Sequence, residues 1–181
     1  MQAEYEVARG WTARLFVAVN LSRRQFNDRG LSRMIQQILE DVGLHPQYLE
    51  LEITESMSMD VQIASDALNQ LKKLGVRVAM DDFGTGYSSL GYLKDFPIDK
   101  MKIDQSFIKG LKHRQVNAAI VNTMIAMANN LNLLVVAEGV ETEEELQVLR
   151  ECGCRFVQGY FFSPPVEAKR VEEMLHLVAV K

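Results

Sequence analysis

The strongest constraint on the fold is a regular exchange of short apolar runs with helically spaced stretches. The runs are "RLFVAV" (14–19), "LELEI" (49–53), "VRVAM" (76–80), "KMKI" (100–103), "LLVVA" (133–137) and "RFVQGY" (155–160). Each has the length of a strand. Between them, Leu31, Met34, Ile35, Ile38, Leu39 and Val42 follow an i, i+3, i+4 spacing that stops at Gly43. Val61, Ala64, Leu68, Leu71 and Leu74 repeat that spacing up to Gly75, and 116–132 carries Ala, Met and Ile on one face. Thr142 and Glu145 stand at capping-box distance ahead of a helix that closes at Gly153. A last helix is predicted over about 167–178, after Pro164-Pro165. Strands alternating with helices imply parallel βαβ units, and nearly all-apolar strands imply a sheet covered on both faces. No linker or low-complexity stretch interrupts the pattern, so residues 1–181 read as one domain.

Two architectures satisfy this pattern, a doubly wound open sheet and a (β/α)8 barrel. The open sheet usually carries a glycine-rich phosphate turn after its first strand, and no G-x-G-x-x-G occurs here. The strand ends carry polar groups instead: Asn20, Glu52, the pair Asp81 and Asp82, Lys102 with Asp104, Glu138, and Gln158. In a parallel barrel these ends meet at one rim, where such folds build their active sites.

Asn20, Glu52, Asp81 and Asp82 offer only oxygen to a metal, which favours hard cations such as Mg2+ or Mn2+. Adjacent aspartates make chemical sense if one bridges two ions and its neighbour holds the second. Two ions about 3.5–4 Å apart clamp a phosphodiester and generate hydroxide for in-line attack. Lys102 would supply a fixed positive charge, or a base if nearby cations lower its pKa. Plainer assignments exist for each residue. Asp82 reads equally as a helix N-cap, and Asp81 as a solvated turn residue. Glu52 is open to an outward orientation, as expected for Glu50. Lys102 and Asp104 would make a surface pair, and Glu141 a first-turn helix charge.

Composition narrows the partners. The chain is 48% hydrophobic and 24% charged, with a formal net charge of −4, which disfavours bulk binding to DNA, RNA or anionic membrane. No apolar run approaches the roughly 18 residues of a membrane span, and the charged first residues do not resemble a signal peptide. Cys152 and Cys154 read as small core thiols, and His45, His113 and His176 as surface or loop residues. The expected location is the cytoplasm.

The stretches "VAVNLSRRQF", "LELEITES", "MDDFGTGYSSLGYLKDFPIDKMKIDQSFI", "VVAEGVET" and "VQGYFFSPP" occur in family order across nearly the whole chain. Together they resemble the EAL-domain phosphodiesterases, which linearise the bacterial messenger cyclic di-GMP to pGpG on a (β/α)8 TIM-barrel-like fold. The resemblance implies that Asn20, Glu52 and Asp81 hold one Mg2+ or Mn2+, with Asp81 bridging to a second ion also bound by Asp82. It implies that Lys102 activates or positions the attacking water. Glu138 would lie near metal and water, and Gln158 would hold that water or the substrate. Glu55 would steady the loop after the paired aspartates, and that loop with its following helix would carry a homodimer contact.

The family's Glu-Ala-Leu segment, which supplies a further metal ligand, has no match here, and "AEYEVARGW" resembles the end of the helix before the first strand. A (β/α)8 barrel takes about 250 residues, so the expectation is about six βα units, completed by a longer protein or by another chain. The alternative to hydrolysis is a non-catalytic module that binds cyclic di-GMP or a partner protein.

Overall fold

The computed structural model describes residues 16–55, 61–86, 93, 95–113 and 115–179. Six parallel strands pair in sequence order: β1 (Val17–Asn20), β2 (Leu49–Thr54), β3 (Arg77–Phe83), β4 (Lys100–Ile103), β5 (Leu134–Ala137) and β6 (Phe156–Val157). The helices are α1 (Arg23–Phe26), α2 (Leu31–Val42), α3 (Val61–Leu74), α4 (Gln105–Ile108), α5 (Gln115–Asn130), α6 (Glu143–Glu151) and α7 (Ala168–Ala179). The sheet curls into a half-barrel, the partial (β/α)8 arrangement expected from the sequence. The order 1-2-3-4-5-6 excludes the doubly wound sheet, which reverses direction at a switch point.

The helices stop and start where local chemistry dictates. α2 ends at Gly43 with φ +64°, a left-handed value that glycine adopts without a Cβ clash. Thr142 and Glu145 form the expected capping box of α6. The buried core lies between the outer sheet face and the helices. There Leu68, Val78, Met101, Ile103, Val121 and Leu149 are almost wholly removed from water. Each such side chain contributes roughly 1.5–3 kcal/mol of transfer free energy, enough to fix which face of every strand points outward.

That phase puts the alternate residues on the inner face. Because β2 alternates, Glu50 and Glu52 must share a side, so Glu50 is not outward-facing as expected. It is 1% exposed and bonded to Lys100. At the two sheet edges the inner face is uncovered, leaving Phe16 and Phe156 about half exposed. Among the described residues no helix is long and apolar enough to cross a membrane. The "AEYEVARGW" segment and residues 87–92 lie outside the described residues.

Candidate active site

The site grows from one irregularity in β3. Met80 pairs with Met101 and Phe83 with Ile103, so three steps on β3 match two on β4. The extra residue is a β-bulge, and Asp82 within it has φ +54°. Strict alternation would send Asp81 and Asp82 to opposite faces. With the bulge, carboxylate oxygens of Asp81, Asp82 and Glu138 all lie within 4.8 Å of one another. β3 therefore continues through both aspartates instead of ending before them, and Asp82 is not a helix N-cap.

Lys102, 5% exposed, sits at the centre of the acidic group. Its Nζ lies 2.8 Å from Glu52 Oε1, 2.8 Å from Glu138 Oε1 and 3.2 Å from Asp81 Oδ1. Burial opposes the ammonium form, but hydrogen bonds and charge from Glu138 and Glu52 outweigh it and raise the Lys102 pKa above its ordinary value. Carboxylates alone thus hold Lys102 charged, the reverse of the lowered pKa a base would need. Asp104, expected as its surface partner, instead caps α4 by accepting from Ser106 N.

Asp82 titrates above the usual aspartate range, first through desolvation and then through the negative charges of Asp81 and Asp104. Glu138 is raised as well: desolvation leads, Asp81 adds to it, and Lys102 opposes it. These mutually repelling, partly dehydrated carboxylates outnumber the single Lys102 charge beside them, and such a donor set is suited to a hard divalent cation. Asn20 is the register neighbour of Glu52 at the edge of the sheet, while Glu52 is committed to Lys102.

Asp82, Glu138 and Gln158 share a cavity of about 390 Å3 whose wall also includes Asp104, Lys109 and Tyr160. The sequence offers Asp104 as a strand end and as a surface partner of Lys102, and carries no comparable signal for Lys109 or Tyr160. They belong to segments that follow β4 and β6, where rim residues of a barrel are expected. Glu141 also lines this cavity and precedes the N-cap Thr142, so it is not a first-turn charge. Gln158 is fixed through its backbone, donating to Ala137 O at 2.8 Å and accepting from Val140 N at 3.1 Å.

Glu55 stands apart from this group. Its Oε2 accepts from Gly84 N at 3.0 Å and Gly86 N at 3.2 Å, tying the turn after the bulge to the end of β2. Gly84 has φ +98°, and a Cβ there would lie 2.6 Å from Met124 and 2.7 Å from Phe107, so the turn favours glycine.

The chain matches the EAL domain family over residues 3–165. It is 45% identical over 163 residues to the cyclic di-GMP phosphodiesterase NbdA of Pseudomonas aeruginosa, covering 90% of this chain and 21% of that protein. The PaMucR phosphodiesterase in complex with c-di-GMP superposes with a TM-score of 0.89 at 42% identity, covering 94% of this chain and 69% of that one. A manganese and cyclic di-GMP complex of Klebsiella pneumoniae BlrP1 gives a TM-score of 0.83 at 31% identity, over 91% and 42% of the two chains. The chain spans about a fifth of the length of the first curated relatives it matches. A family match over residues 3–165, together with a superposition covering 94% of this chain, identifies it as a member of the EAL domain family.

Proposed function

We propose that the protein containing this chain hydrolyses cyclic di-GMP to linear pGpG, using two Mg2+ or Mn2+ ions held at the Asp81–Asp82 end of the half-barrel. The observation that carries this reading is the bulge that brings Asp81, Asp82 and Glu138 together beside a buried Lys102. Asn20, Glu52 and Asp81 would hold one ion, and Asp81 and Asp82 the other. Bound there, the ions would supply Lewis-acid polarisation of the phosphodiester and a hydroxide nucleophile.

The chain's own residues do the positioning. Lys102, held charged by Glu52, Asp81 and Glu138, would orient the attacking water and face the negative charge that grows on the phosphoryl oxygens. Glu138 bonds Lys102 and has a carboxylate oxygen within 4.8 Å of those of Asp81 and Asp82, where it would accept a hydrogen bond from that water. Gln158, which lines the same cavity as Asp82 and Glu138, would offer an amide to hold water or substrate. Glu55 fixes the turn after Asp82 and so limits where its carboxylate points.

A homodimer through that turn and the segment after it agrees with an apolar groove of about 510 Å3, lined by Phe83, Gly84, Val116, Ile120 and Met124. A cytoplasmic location agrees with a nucleotide substrate. The test is turnover of cyclic di-GMP by the full-length protein with Mg2+, followed by chromatography of the product. Asp81→Asn is expected to lose at least a hundredfold in kcat. An inactive parent that binds the nucleotide tightly in chelator would support a non-catalytic module instead.

A further inference from the structure

Beneath the rim, a second ion pair repeats the first. Lys100 Nζ lies 2.5 Å from Glu50 Oε1, and both side chains are more than nine-tenths buried. Each residue is two positions before its counterpart in the Glu52–Lys102 pair, so all four share the inner face. β2 and β4 are not neighbours, since β3 runs between them. Register places Ala79 beside both Glu52 and Lys100, and Ala79 is fully buried. At that rung only a methyl group separates β2 from β4, and the two ion pairs reach across β3 on either side of it.

The lower pair is unbalanced. Glu50 Oε2 is buried and has no hydrogen-bond partner among the described residues. A buried acceptor left unpaired draws in any donor within reach. Lys100 already bonds Oε1 and lies 4.3 Å from the centre of the Phe16 ring. Arg77, the register neighbour of Glu50, sends its guanidinium over the same ring at 5.6 Å. Among the described residues, the remaining cation on this face is Lys102, one rung up and about 7 Å along the strand.

We propose that Lys100 is a positioning residue: by occupying Glu50, it keeps the Lys102 ammonium up among Glu52, Asp81 and Glu138. Without it, Glu50 becomes a bare carboxylate in the floor of the site and pulls Lys102 down from the rim. The proposal deepens the phosphodiesterase reading and rests on it for its kinetic consequence, but not for its structural one.

The experiment compares full-length parent, Lys100→Met and Glu50→Gln/Lys100→Met at a temperature where circular dichroism shows all three folded. Lys100→Met is expected to lower kcat about 10- to 100-fold with KM within about twofold, the pattern of a displaced group that acts in the transition state. The double variant removes the competing carboxylate and is expected to recover to within about threefold of the parent. A crystal structure of Lys100→Met in chelator should show Lys102 Nζ bonded to Glu50. Lys100→Arg keeps the charge and should retain kcat within about threefold, which keeps the idea testable if Lys100→Met does not fold.

The proposal is overturned if Lys102 stays at Glu138 in Lys100→Met, or if Arg77 takes Glu50 in its place. It is equally overturned if the double variant is no better than the single, or if Lys100→Arg loses tenfold. Inactivity of the parent counts against the phosphodiesterase reading alone, because the position of Lys102 in the crystal is read without turnover.

Discussion

Gly159→Ala tests whether the wall carrying Gln158 is as tightly fixed as its backbone implies. A Cβ at this position would lie 2.2 Å from Val140 O, 2.3 Å from Val140 N and 2.7 Å from Val140 C. The first of these is about 1 Å inside ordinary contact, and all three atoms are backbone with no rotamer to relieve the clash. Val140 is itself held on both sides, donating to Gln158 O at 3.1 Å and accepting from Phe161 N at 2.9 Å. Relief therefore breaks one or both of these bonds, each worth about 0.5–1.5 kcal/mol, and adds about 1–3 kcal/mol of overpacking. The total, about 1.5–6 kcal/mol, corresponds to a Tm lowered by roughly 3–24 °C for a domain of this size. Displacing the wall by about 1 Å would cost up to a hundredfold in kcat. The assay is thermal unfolding together with cyclic di-GMP turnover of the full-length protein. Gly153→Ala is the control: its φ is +78° with nothing within 4 Å of the added carbon, so only the left-handed backbone cost of about 1–2 kcal/mol applies. A Gly159→Ala variant as stable as the parent, or no worse than Gly153→Ala, would refute the packing argument.

Other outcomes follow from the same geometry. Glu55→Ala strips the acceptor from Gly84 N and Gly86 N; hydrogen exchange at those two amides should rise by about 10- to 100-fold, equivalent to about 1–3 kcal/mol. Lys102→Met leaves Glu52, Asp81 and Glu138 facing one another, so in chelator it should lose about 3–5 kcal/mol of stability, part of which Mn2+ restores. Equal destabilisation with and without Mn2+ would count against a cation site there. For pH, Asp82 and Glu138 are raised in the folded state, so the metal-free fold binds their protons more tightly than the unfolded chain. Their contribution is present below the unfolded carboxylate pKa and is lost as pH rises through the folded values. Relative to Asp82→Asn, the parent in chelator should gain stability on acidification across the carboxylate range, and Mg2+ or Mn2+ affinity should climb as pH rises. Calorimetric titrations showing the opposite slope would exclude these groups as the ligands.

The βαβ order was legible because each helix and strand carried its own period and its own stop signal, Gly43 and the Thr142–Glu145 box among them. The rim residues were legible because a parallel sheet sends all strand ends one way. The missed features are of a different kind. Glu50 was expected to face outward although its parity with Glu52 requires the same side; a charge seemed unsuited to a buried position until its partner, 50 residues away, was known. The commitment of Lys102 to Glu52, Asp81 and Glu138 joins four separate strand ends, a contact set that no local pattern encodes. The bulge escaped notice because "AMDDF" contains no glycine or proline to mark a break in register, and its cause lies in pairing with β4. The short helices α1 and α4 are too brief for a periodic signature, although Ser22 and Gln25 stand at capping-box spacing at the start of α1.

The bulge in β3 also bears on how such a domain diverges. Excising Asp82 would make the spacing from Met80 to Phe83 equal to that from Met101 to Ile103, leaving an uninterrupted ladder. Phe83 would keep its buried place. Loss of the second acid is thus structurally inexpensive, whereas gaining it requires an insertion that the neighbouring strand must tolerate. A lineage on this scaffold can discard its chemistry in one step and keep a folded, heritable shell for another use, and the return path is steeper than the departure.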